Sequence, residues 1–104
     1  MRGGGMQNLM RQANQMQNKM KKVKEEFALK TFTGSAGGGA VEVIVNGEYM
    51  IDSMTIKPEV IESGSEMITE MVQLATNDAM KTVKEEYQKA MDQVTKGMSI
   101  PGMM

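Results

Sequence analysis

The sequence predicts an α+β fold in which two long helices flank a small antiparallel sheet. Three observations carry that prediction. Apolar residues of the first quarter recur in alternating steps of three and four, and a β-branched run with a hairpin signal occupies the middle. A final stretch then runs from Ser65 to Lys96 with neither Gly nor Pro. At 104 residues and 11.4 kDa, the chain has the length of one small domain, taken as 1–104.

The first helix is expected over about residues 5–29. Its apolar positions Met6, Leu9, Ala13, Met16, Met20, Val23 and Phe27 form an unbroken heptad seam. At 1.5 Å per residue such a helix is about 36 Å long.

The sheet is expected over about residues 30–57. An extended piece from Leu29 to Thr33 supplies a first strand, Gly34 to Gly39 reads as a flexible connector, and Val41-Glu42-Val43-Ile44-Val45 is a β-branched strand. Asn46-Gly47 predicts a two-residue type I′ turn, because that turn needs positive φ at both central residues. The return strand then runs from Glu48 to about Ile56, setting Val43 opposite Met50 and Val45 opposite Glu48. Pro58 removes a ladder donor and ends it, with one helical turn from Pro58 to Ile61.

The last helix is expected over about residues 64–96, some 45 Å long. Ser63-Gly64-Ser65-Glu66 has the spacing of a capping box, with Ser63 as N-cap. Ile68, Val72, Ala75, Ala79, Val83, Tyr87, Ala90 and Val94 make its buried stripe. Asn77-Asp78 is a poor mid-helix choice, which either solvates the helix or caps a neighbouring element. The tail 97–104, with Pro101-Gly102, is expected to be flexible.

Helices of these lengths do not fit inside a compact 100-residue domain, whose radius of gyration is near 13 Å. They must project, and a projecting apolar seam needs a cover. A lone small sheet is marginal in water as well. Both needs are met if two chains associate, so the expectation is a homodimer with protruding helical arms.

Composition narrows the function. There is no Cys, no His and no Trp, which removes disulfides, thiolate or imidazole metal sites and the Ser-His or Cys-His nucleophiles. The carboxylate pairs Glu25/Glu26 and Glu85/Glu86 are sequence neighbours that point to different helix faces, poor geometry for acid/base chemistry. The glycine run lacks the Gly-Lys-Ser/Thr ending of a phosphate-binding loop. A non-enzymatic protein with no cofactor, no metal and no small-molecule substrate is expected. Nothing reads as a signal peptide or a membrane span, so the location expected is cytoplasmic. The 14 Met include eight on the two long helices, where Met is a flexible seam filler.

The net charge of −1 conceals a segregation. Residues 1–33 carry seven basic side chains against two acidic, a net of +5; residues 34–64 carry one against five, and the remainder four against six. A basic helix is thus joined to an acidic body. With Met6 at heptad position a, Arg11, Lys19, Lys21, Lys22 and Lys24 all fall off the seam, free to meet phosphates. Cations on a helix are also an ordinary solvated face, and Lys21 and Lys22 have Glu25 and Glu26 four residues on.

The chain opens with Gly5-Met6-Gln7-Asn8-Leu9-Met10-Arg11-Gln12-Ala13-Asn14-Gln15-Met16-Gln17-Asn18-Lys19-Met20. Gly37-Gly38-Gly39, Val41-Glu42-Val43, Asn46-Gly47, Ile56-Lys57-Pro58, Asn77-Asp78-Ala79, Gly97-Met98 and Ile100-Pro101 follow in that order. In this order and spacing the chain resembles the YbaB/EbfC family of bacterial nucleoid-associated proteins, the first run being similar to the family's opening helix. It implies an α+β homodimer with a central sheet and tweezer-like helices, binding DNA at the nucleoid. Lys57 stands where the family more often has Asp before Pro, which implies a lost helix-capping carboxylate. The basic positions of the first helix match the family's only loosely.

The expected activity is binding of double-stranded DNA by Arg11, Lys19, Lys21, Lys22 and Lys24 on the first helix with Lys81, Lys84 and Lys89 on the last. Gln7, Gln12, Asn14, Gln15 and Gln17 are candidate base readers, with weak or relaxed specificity expected. An aromatic content of 4% argues against single-strand binding by stacking. There are two alternatives: the helix–hairpin–helix order also suits a prefoldin-like chaperone subunit holding clients on Met-rich arms, and the apolar seams suit an assembly module that docks another protein.

Overall fold

The computed structural model describes residues 2–97. Its elements are α1 (Arg2–Leu29), β1 (Thr31–Ala36), β2 (Val41–Asn46), β3 (Ile51–Ile56), α2 (Pro58–Glu62) and α3 (Ser65–Gly97). The strands form one antiparallel sheet in the order β1-β2-β3. The α+β class, the two long helices and the three strands are those the sequence predicts. The flexible tail expected over 97–104 lies, from Met98 onward, outside the described residues.

The core is small and built from short side chains. Val41, Val43 and Val45 alternate along the central strand and are fully buried under Ala75, Ala79 and Val83 of α3. Each buried Val contributes about 1.5–3 kcal/mol. Three fully buried residues come from the predicted α3 stripe; Ile68 and Val72 pack half-buried beside them.

Alanine at positions 75 and 79 has a consequence across the interface. Gly34 lies so close to the α3 backbone that a Cβ there would run into the Ala75 carbonyl and the Ala79 backbone nitrogen. Small residues on both sides let β1 and α3 approach. Gly34, Ser35 and Ala36 are therefore strand rather than connector, which corrects the reading of 34–39 as a flexible joint. The remaining Gly37, Gly38 and Gly39 all have positive φ and close a tight turn, with Ala40 N–H donating to Gly37 O at 3.3 Å.

The β2–β3 hairpin also differs from expectation. Val43 pairs with Met54 and Val45 with Ile51, not with Met50 and Glu48. The loop has three residues, Gly47-Glu48-Tyr49, closed by Tyr49 N–H donating to Asn46 O at 3.1 Å and Asn46 N–H donating to Met50 O at 2.9 Å. Asn46 Oδ1 accepts from the backbone N–H groups of Glu48 (2.9 Å) and Met50 (3.1 Å). Positive φ falls on Tyr49 (64°), at the position of a three-residue hairpin that Gly ordinarily fills. The left-handed conformation costs a residue with a Cβ about 1–2 kcal/mol.

Gly47 serves another purpose. A Cβ on it would strike the Phe27 carbonyl at the end of α1, so the residue is glycine because α1 lies against the loop. That close approach explains the glycine of the Asn-Gly pair, and the two bonds to Asn46 Oδ1 explain the asparagine, without a type I′ turn.

The linker to α3 corrects one more expectation. Ser63 Oγ donates to Glu59 O at 2.8 Å, ending α2, while the first bond of α3 runs from Ile68 N–H to Gly64 O at 3.1 Å. Ser63 is the C-cap of α2, and no capping box forms. Lys57 occupies the N-cap of α2 without a side-chain hydrogen bond, as its replacement of a capping carboxylate implies.

The radius of gyration is 20.4 Å and the long axis 74 Å. α1 returns antiparallel beside α3, with the Phe27 and Tyr87 rings 5.4 Å apart edge to face. In that register Gly97 is level with about Gln17, so roughly the first four turns of α1 run on past α3. The length of α3, about 50 Å, and this overhang of about 20 Å together match the long axis.

Candidate nucleic-acid interface

The seam of α1 changes character along its length. Phe27 is buried, Val23 and Met16 are half-buried, and Met6, Leu9 and Met10 are 66%, 58% and 64% exposed. The root of the arm is therefore anchored by Phe27, which stacks on Phe32 at 5.7 Å and carries Lys30 Nζ 4.9 Å from its ring centroid.

Arg11, Lys19, Lys21, Lys22 and Lys24 are all exposed on this arm. They span fourteen residues, about 20 Å. At 100° per residue, Arg11 and Lys22 project opposite Phe27, Lys19 on one flank, and Lys21 and Lys24 on the other. The cations thus wrap the outside of α1 instead of forming a single stripe. Of Gln7, Gln12, Asn14, Gln15 and Gln17, only Gln12 is half-buried and the rest are exposed.

The α3 cations are arranged differently. Lys81, Lys84 and Lys89 are exposed, but Lys81 and Lys84 lie beside the sheet while Lys89 lies toward the arm and on the other flank of the helix. Lys89 Nζ is 3.4 Å from Glu86 Oε2, the one ion pair among the described residues. The structure does not gather these three with the α1 set. It adds two cations that the site prediction left out: Lys30 at the root of the arm and Lys96 in the last turn of α3, both exposed. Both were visible in the charge distribution, and Lys96 is level with about Asn18 in the antiparallel register.

Glu25 and Glu26 stand on the arm among these cations, and Asp78, Glu85, Glu86 and Asp92 stand on α3; the other acidic side chains lie on the body. Glu42, Glu48, Asp52, Glu59, Glu62, Glu66 and Glu70 are exposed on the sheet, its loops and the start of α3. A duplex approaching the chain meets favourable potential at the α1 arm and unfavourable potential at the body. Among the described residues no three His, Cys, Asp or Glu side chains are grouped to hold a metal, and no helix is long and apolar enough to cross a membrane.

These features define a class: a small α+β protein whose cations are displayed on a helical arm projecting from an acidic sheet. The chain belongs to the YbaB/EbfC DNA-binding family, whose model matches residues 2–98. It is 45% identical over 104 residues to a nucleoid-associated protein of Clostridium novyi (strain NT), covering 97% of this chain and 91% of that one. It is 41% identical over 102 residues to a nucleoid-associated protein of Clostridium kluyveri, covering 97% and 90%. The crystal structure of an uncharacterized protein from Helicobacter pylori superposes with a TM-score of 0.64 at 25% identity, over 74% of this chain and 90% of the other.

Proposed function

We propose that the chain acts as one domain that pairs with a second copy and binds double-stranded DNA at the nucleoid, in the cytoplasm, through its helical arms. The observation that carries this is the set of five exposed cations along about 20 Å of α1, none within 4 Å of a carboxylate among the described residues. Side chains held in this way release counterions when they meet phosphates. Backbone contact of that kind carries little sequence information, so specificity is weak or relaxed.

Pairing is supported by what α3 leaves uncovered. Met54 and Ile56 share the α3 side of the sheet with Val43 and Val41, yet α3 lies over β1 and β2, leaving Met54 39% and Ile51 48% exposed. A second copy covering this flank would bury apolar surface and bring the α1 cations of two chains to one duplex.

One observation favours the chaperone reading: the far end of the arm is apolar, with Met6, Leu9 and Met10 exposed beyond the first described cation side chain, Arg11. A duplex gel shift and an aggregation assay with an unfolded client separate the two. Retarded duplex with no suppression of aggregation supports DNA binding; suppression with no retarded duplex at low salt contradicts it.

A further inference from the structure

The chain has four aromatic residues, and all four converge where α1 meets the sheet. Phe27 stacks on Phe32 and meets Tyr87 edge to face, while Tyr49 shares with Phe27 and Tyr87 the wall of a groove of about 390 Å³. Lys24 and Glu48 line the same groove. Its volume lies within the range of small-molecule sites, about 300–1,000 Å³.

Packing explains three of the rings and leaves the fourth. Phe27 is buried, Phe32 packs on the core and Tyr87 is half-buried between α1 and the sheet. Tyr49 is 48% exposed and sits in the left-handed region, where a glycine would hold the same loop without strain. A bulky residue kept in a conformation that disfavours it, with half its surface in solvent, is placed for contact with something other than this chain's core.

We infer that this groove binds one unstacked nucleobase with its phosphate. The three chemistries that such a ligand requires are present together: a tyrosine face for stacking, a lysine for the phosphate and a carboxylate that can accept from an exocyclic amine. Cytosine, adenine and guanine carry that amine and thymine does not. The site stands at the root of the cationic arm, so the ligand's source is an extrahelical base of DNA held by α1; this rests on the DNA-binding reading above. The low aromatic content that argued against stacking is a low number gathered at one point.

The test compares a fully paired duplex, the same duplex with one extrahelical cytosine, and free dCMP. Tyr49→Gly removes the ring and relaxes the backbone, so the variant folds; Tyr49→Phe keeps the stacking face. The wild type should bind the bulged duplex about tenfold more tightly than the paired one, Tyr49→Phe should keep that preference, and Tyr49→Gly should lose it with paired-duplex affinity unchanged. Equal binding of both duplexes by the wild type, or an undiminished preference in Tyr49→Gly, overturns the inference while leaving duplex binding intact. If no duplex binds at low salt, the DNA-binding reading fails and dCMP decides the groove by tyrosine fluorescence, which no Trp obscures. Saturable quenching in the wild type, absent in Tyr49→Gly, then supports the site with a free nucleotide as its source; no quenching overturns it.

Discussion

Asp78 on α3 reaches the outer edge of the sheet, where its Oδ2 accepts a hydrogen bond from the backbone N–H of Ser35 at 3.0 Å. This resolves the awkward Asn77-Asp78 pair: the carboxylate satisfies an edge donor of β1 that would otherwise template pairing with another strand. The same turn of α3 carries Ala79, whose small side chain admits Gly34 beside it. One stretch of helix thus both covers β1 and closes its edge.

Removing that acceptor should cost about 1–2 kcal/mol. Asp78→Ala is expected to lower the urea midpoint accordingly, whereas Asp78→Asn, whose amide oxygen can still accept, retains most of the stability. Equal losses in the two variants would show that charge, not hydrogen bonding, holds the contact.

Gly34→Ala places a methyl group against the α3 backbone, where no side-chain rotation can yield. The β1–α3 spacing must widen, at a cost of about 1–3 kcal/mol or more. Chemical denaturation checks this, and an unchanged midpoint would contradict the close approach.

Gly47→Ala acts on the arm instead of the core. The added methyl meets the Phe27 carbonyl and pushes the end of α1 away from the hairpin. Amide exchange over residues 24–30 should quicken at least tenfold, while the amides of Val41, Val43 and Val45 stay protected. Uniform quickening would mean that arm and sheet unfold as one unit.

Much of the fold was legible because its signals are local. The three-and-four spacing from Met6 to Phe27 and the unbroken run after Gly64 gave the helices, and the β-branched run gave the central strand. What was not legible depended on distant atoms. Asn46-Gly47 is a two-residue turn signal only when nothing crowds the glycine, and the Phe27 carbonyl does. Gly34 belongs to a strand only because Ala75 and Ala79 stand across from it, forty residues later. Ser63 turned back to Glu59, a partner that the capping pattern does not mention. The α1 cations were legible as exposed from their heptad positions, but the separation of Lys81 and Lys84 from them required the placement of α3 on the sheet.

Pairing makes a prediction of its own. In sedimentation equilibrium the wild type should have about twice the 11.4 kDa mass of one chain, and Met54→Glu with Ile51→Glu should return it to one. A wild-type mass of one chain would contradict the proposed dimer.

Duplex binding measured across a series of salt concentrations tests the arm most directly. The wild type should bind with a log–log slope of about −5, the value for about six neutralised phosphates. Replacing Lys19, Lys21, Lys22 and Lys24 together with Glu should abolish binding with the sedimentation mass unchanged. Retained binding by that variant would contradict the α1 surface, and no binding by the wild type at low salt would contradict DNA binding altogether.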